Sequence, residues 1–179
     1  DGINELAEIF VDRAQNSWRP VRKLEVFANT FPQVRGTYTR NRAFATATVP
    51  RILGQTISDM KSVEMNSLAT GIFLNLNGKF TFKPLPDPAQ LSPAFDICVA
   101  DFDGDGVSDL FLAQNDFGVP ALYSRYDSGR GLLLTGDGKG GFQPQKGHET
   151  GIMIYGEQRG AVVADFNGDK KPDLAVTQR

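Results

Sequence analysis

Two nine-residue segments, DFDGDGVSD at 101–109 and DFNGDKKPD at 165–173, repeat one pattern 64 positions apart. Acidic or amide side chains stand at positions 1, 3, 5 and 9, so alternate residues of a tight turn aim their oxygens at one centre. In the first copy this crowds Asp101, Asp103, Asp105 and Asp109 into a short loop, and like charges that close repel unless a cation sits among them. A hard divalent ion with oxygen ligands answers that requirement, and calcium suits it best. The spacing predicts ligation by the side chains of Asp101, Asp103, Asp105 and Asp109 with the carbonyl of Val107. In the second copy the corresponding set is Asp165, Asn167, Asp169 and Asp173 with the carbonyl of Lys171. Gly104 and Gly106 ease the first turn; Lys170 stands where the first copy has Gly106.

The flanks exclude an EF-hand. That loop needs a bidentate Glu at position 12 and a helix on each side, whereas position 12 here is Leu112. Short apolar runs of strand length precede and follow each loop: Ile97 to Ala100 and Leu110 to Ala113 around the first, Ala161 to Ala164 and Leu174 to Val176 around the second. Each loop is therefore expected to join two strands. A third, partial copy is read at the start, where Asp1, Gly2, Ile3, Asn4, Glu5 and Leu6 overlay Asp105 to Leu110. It makes Asp1, Ile3 and Glu5 the remaining half of a further site, with residues 1–12 as loop end and following strand. Beginning inside a motif and stopping just after the equivalent of Gln114, the chain is expected to be a piece of a longer polypeptide.

A second repeated element lies between the loops. GIFLNLNGKF at 71–80 and GLLLTGDGKGGF at 131–142 each read as an apolar strand, a turn rich in Asn, Asp and Gly, and an aromatic opening the return strand. Hairpin and metal loop alternate with a period of about 60 residues and roughly four strands, which fits one blade of a β-propeller. The expected fold class is mainly β: about two to three blades of a partial propeller, over residues 61–179, with a helical insertion at 13–60.

ADFDGDGVSDLFLAQND and ADFNGDKKPDLAVTQ resemble the FG-GAP, or VCBS-type, repeats of calcium-binding β-propellers, such as the integrin α-chain head and many secreted bacterial proteins. The likeness is strong over 71–179 and weak over 1–12. It implies calcium at both loops, a seven-bladed propeller in the complete protein and a secreted, periplasmic or surface location. Lys170 departs from the usual Gly of the pattern. The FG and GAP segments survive only as a partial echo in Phe117, Gly118, Val119 and Pro120.

Residues 13–70 break the period. Ser17 is a possible cap for a helix starting near Arg19 and Pro20, with Val21, Leu24, Phe27, Ala28 and Phe31 on one face and Pro32 as its stop. A second helix is expected from Arg35 to Thr48, placing Tyr38, Ala45 and either Arg42 or Phe44 at helical spacing. Thr48 and Pro50 open a short turn closed by Gly54. Between 13 and 53 eight basic residues oppose Glu25 alone, in a chain of net charge −2. Such a face suits an acidic partner, or else a solvated helix surface with Arg stems lying over apolar groups.

Other features narrow the function. The pI of 5.4 and the lack of a recognised motif argue against nucleic acid. No apolar run approaches the roughly 18 residues of a membrane span. Cys98, the single cysteine, reads as a buried strand residue, and His148 as a surface residue in a polar linker. No nucleophile motif, zinc spacing or phosphate loop is present. Tyr123, Arg125, Tyr126, Tyr155 and Arg159 are the side chains from which a polysaccharide-lyase or hydratase site would have to be built. The expected role is a non-catalytic, calcium-stabilised scaffold for protein or glycan contacts. The alternatives are the frame of a carbohydrate-active enzyme, or a subunit of an extracellular assembly docking through its basic insert.

Overall fold

The computed structural model describes residues 6–120 and 123–179, and they form two compact units, one ending at Glu64 and one spanning Met65–Arg179. The chain is mainly β, in small antiparallel sheets, with most of its short helices in the first unit. The expectations for Asp1, Ile3 and Glu5 lie outside the described residues. Leu6, matched by the overlay to the buried Leu110, is exposed.

In the first unit, β1 (Ile9–Asp12) pairs with β2 (Ser17–Pro20) as a hairpin. Ser17 therefore opens a strand and caps no helix. The reason is local: Asp12 Oδ1 accepts the backbone N–H groups of Ala14 and Gln15, folding a turn that brings Ser17 opposite Asp12. Helix α1 (Leu24–Thr30) starts only after Lys23, burying Phe27 and Ala28 but leaving Val21 exposed. The second expected helix is two: α2 (Val34–Thr37) and α3 (Asn41–Ala45), separated because Tyr38 and Arg40 are extended. Phe44 takes the inward position, with Arg42 and Ala45 exposed. α4 (Val49–Leu53) begins with Pro50 in its first turn and ends on Gly54 at φ 57°.

Aromatic rings fill the middle of this unit. Phe27 lies 5.2 Å from Phe31 and 5.4 Å from Phe44, and Tyr38 meets Phe44 edge-on at 5.8 Å. Such pairs add about 0.5–1.5 kcal/mol each beyond area burial. The basic residues are not uniformly solvated: Arg19 is buried, donating to the Thr46 carbonyl and to Gln15 Oε1, and Arg22 pairs with Glu8 at 2.6 Å. That guanidinium, donating to the carboxylate, holds Glu8 below the ordinary range.

The second unit is a stack of three sheets. β3 (Gly71–Leu76) and β4 (Lys79–Pro84) form a two-residue hairpin through Asn77 and Gly78, both at positive φ (55° and 86°), the geometry that matches strand twist. β5 (Ala94–Ala100), β6 (Asp109–Gln114), β7 (Leu132–Gly136) and β8 (Phe142–Pro144) make a four-stranded antiparallel meander. Helix α5 (Gly147–Thr150) leads from β8 to β9 (Gln158–Ala164), which pairs with β10 (Asp173–Gln178).

β6 is buried along its whole length because both of its faces are covered. Leu110, Leu112 and Leu134 pack with Ile72 of β3 and with Leu85 and Ala89 of the linker after β4. On the other face Cys98, Phe111, Ala113 and Leu133 pack with Ala161, Val163, Leu174 and Val176 of the β9–β10 pair, and with Ile152 and Ile154 of its linker. Asp96 Oδ2 ties the two sheets by accepting the Ala161 N–H at 2.9 Å. Cys98 is thus a core residue whose burial pushes its thiol pKa up.

Candidate metal centre

The first loop leaves β5 at Ala100 and enters β6 at Asp109, two residues that face each other in the ladder. Its turn is held by its own carboxylates. Asp101 Oδ1 accepts the N–H of Gly104 (2.7 Å) and of Asp105 (3.1 Å), and Oδ2 that of Gly106 (2.8 Å). Asp103 accepts from Asp105 at 3.1 Å, and Asp105 from Val107 at 2.7 Å. Asp109 is fully buried, and each oxygen has a donor: Phe102 N–H at 2.8 Å on one and Gly136 N–H of β7 at 2.9 Å on the other. The sequence marks Asp109 only as a ligand; the structure makes it the brace joining loop to sheet.

Asp101, Asp103 and Asp109 each offer one carboxylate oxygen, all within 4.8 Å of one another. Two oxygens ligating one calcium at about 2.3–2.6 Å lie no farther apart than about 5 Å, so these three fit a shared ion. Asp105, whose Oδ1 accepts the Val107 N–H, is not one of the three. Asp103 shows the crowding directly. The Asp105 N–H acts to lower its pKa, yet desolvation and the charges of Asp105, Asp109 and Asp101 leave it raised.

The turn of the second loop repeats that of the first bond for bond. Asp165 accepts from Gly168 (2.7 Å), Asp169 (3.1 Å) and Lys170 (2.9 Å), and these donors, Lys170 foremost, hold its carboxyl below the usual range. Asn167 accepts from Asp169, Asp169 from Lys171, and Asp173 from Phe166. With Asn167 at the third position, the trio matching Asp101, Asp103 and Asp109 has two carboxylates. The flaw at Lys170 is conformational: it sits at φ 68°, where Gly106 has 86°. A side chain there costs about 1 kcal/mol. Lys170→Gly is expected to stabilise the unit by roughly 0.5–1 kcal/mol, read as a higher urea midpoint at unchanged m-value; an unchanged or lower midpoint contradicts the strain.

Of the remaining candidates, Arg125, Tyr126 and Arg159 each contact Asp116 or Phe117. Arg159 pairs with Glu157 and, at 3.6 Å, with Asp116, and its guanidinium lies 3.9 Å over the Phe95 ring. Arg125 covers Phe117, and Tyr155 lies under Arg130. Tyr126 forms a backbone bridge with Asp116. Glu157 accepts the Phe117 N–H, which together with Arg159 and Arg179 holds its carboxyl low. His148 is exposed beside Glu149.

Sequence reasoning passed over the most polar part of the interior, around Ser92, Gln114, Asn115 and Gln158, all buried. Asn115 ties together Gly129, Gly156 and Ser92; Gln158 Oε1 accepts the Gln114 N–H. The one sequence signal is a pair of amides directly after an apolar strand. No family model, no curated protein and no solved structure matches this chain.

Proposed function

We propose that the Met65–Arg179 unit is a run of calcium-stabilised β-propeller blades acting as a non-catalytic scaffold for protein or glycan contacts in a secreted or surface protein. The observation that carries this reading is the fit of Asp101, Asp103 and Asp109 around one point in a loop whose hydrogen-bonded frame recurs at 165–173. Asp101, Asp103 and Asp109 would hold the ion in the first loop, and Asp165, Asn167 and Asp173 in the second. The bound ion supplies neutralisation of the carboxylates and a link between the strands on either side. The four-stranded meander, stacked between two further strand pairs, supports blades as the architecture. Packing roles for Arg125, Arg159 and Tyr155 favour a scaffold over an enzyme frame built on them.

The test is thermal unfolding with and without calcium, paired with calorimetric titration. Affinity is expected near 10⁻⁴ to 10⁻³ M, the range of extracellular modules; at ten times Kd one site contributes about 1.4 kcal/mol. Asp103→Asn with Asp105→Asn is expected to remove one site from the stoichiometry. A melting temperature indifferent to both calcium and chelator would defeat the reading. Binding without turnover across a glycan panel separates scaffold from enzyme.

A further inference from the structure

Beside the buried amides around Asn115 the second unit opens a cavity of about 310 Å³, at the small end of the roughly 300–1,000 Å³ of small-molecule sites. Gln114, Arg130 and Gln145 line it together with the apolar Leu91, Leu132 and Ile152. Gln114 is 1 % exposed, yet its amide is only half used. Nε2 donates to the Ser92 carbonyl at 3.1 Å, which fixes the end of the amide that carries oxygen, and Oε1 accepts no hydrogen bond among the described residues. Gly129, which also lines the cavity, keeps that oxygen open: a Cβ there would stand 3.0 Å from it. Gln145 repeats the arrangement. Its Nε2 donates to Thr135 Oγ1 at 2.7 Å and to the Gln143 carbonyl, and its Oε1 is unmatched among the described residues. Arg130, exposed and stacked on Tyr155, makes no ion pair among the described residues.

These groups exclude two classes of ligand. A hydrocarbon would seal Gln114 Oε1 without a donor, leaving a buried acceptor unsatisfied. A carboxylate or phosphate would set its own oxygens against two amide oxygens, acceptor against acceptor. The match is a neutral molecule that donates to the amide oxygens and accepts from Arg130, and a hydroxyl does both. We propose that the cavity binds one ring of a neutral sugar, its hydroxyls donating to Gln114 Oε1 and Gln145 Oε1 and accepting from Arg130, with its C–H groups against Leu91, Leu132 and Ile152. The site rests on the glycan half of the proposed function and not on calcium.

A nitrogen–proton shift titration of the 179-residue chain tests it, with glucose, galactose and mannose as probes and inorganic phosphate as the anionic counter-probe. At least one hexose is expected to shift the Gln114 side-chain amide and the backbone amides of Gly129, Gly131 and Gly147 saturably, with Kd on the order of 1 mM, while phosphate leaves them in place. Leu91→Trp, at an exposed position on the cavity, fills the space without touching the buried amides and should weaken binding about tenfold or more in a chain whose other resonances are unmoved. No saturable shift with any of the three hexoses, shifts confined to other residues, binding that survives Leu91→Trp, or phosphate binding in place of the sugar overturns the proposal. Titration in calcium and in chelator separates it from the calcium reading: hexose shifts in a chain whose melting temperature ignores calcium keep the cavity and defeat the metal, and calcium-dependent melting with no hexose shift does the reverse.

Discussion

Asn115→Ala is expected to cost about 3–5 kcal/mol, the largest loss of any single substitution argued for this chain. Asn115 is fully buried, and its amide is used at both ends. Oδ1 accepts the Gly129 N–H (2.8 Å) and the Ser92 hydroxyl (3.1 Å), while Nδ2 donates to the carbonyls of Gly129 (2.7 Å) and Gly156 (3.0 Å). Truncation strands the buried N–H and carbonyl of Gly129 and the partly buried carbonyl of Gly156, and each unsatisfied buried group costs about 1–3 kcal/mol. The backbone adds to this, because Asn115 sits at φ 89°, a region that amide side chains tolerate better than Ala. Ser92→Ala is the control. The Ser92 hydroxyl also faces the Tyr126 carbonyl, so its removal breaks contacts at one edge of the knot and should cost nearer 1 kcal/mol. Urea unfolding measures both. A loss below about 1 kcal/mol for Asn115→Ala would mean that the three segments it ties are held by packing alone.

What the sequence discloses here and what it hides divide along contact range. The turns of the two loops are local: the side chains at positions 1, 3 and 5 accept N–H groups two to five residues on, so the spacing carries the geometry, while Asp109 accepts from Phe102 behind it and from Gly136 of β7. The Asn77–Gly78 hairpin is equally local. The faces of the two hairpins are not. Matched from their leading glycines, Ile72 equals Leu132; in the structure Ile72 packs toward the central sheet, while Leu132 packs back toward Ile72. The leading strand is one residue longer in the second hairpin, Gly131 to Gly136 against Gly71 to Asn75, and a one-residue slip exchanges the two faces of a strand. Matching the residues paired with Phe80 and Phe142, Asn75 and Gly136, restores the match. Ser17 was misleading for a related reason: a favourable helix cap loses to the pairing of β1 with β2, which depends on Asp12 and its turn. The Asn115 knot joins residues up to 41 positions apart, and no periodicity announces it.

Asp109→Ala and Asp103→Ala should be alike in calcium and unlike without it. Both remove a carboxylate from the trio that fits an ion, so both are expected to abolish binding at the first loop. In chelator they part. Asp109 is buried and accepts the N–H groups of Phe102 and Gly136, so its loss takes the carboxylate partner from two donors where loop meets β7, costing about 2–4 kcal/mol. Asp103 is exposed, accepts only from Asp105 among the described residues, and stands among three like charges. Removing it relieves repulsion at the loss of one solvent-exposed bond, so the calcium-free melting temperature should hold steady or rise. Asp109→Asn refines the comparison, because its amide keeps one acceptor but turns a donor toward a second N–H, and it should fall between wild type and Ala. Equal destabilisation by Asp103→Ala and Asp109→Ala in chelator would mean that the loop is held as a unit by its charges and not braced through Asp109. The asymmetry, if found, separates the two duties of the motif: three carboxylates gathered for an ion, one of them also fastening the loop to the sheet before any ion arrives.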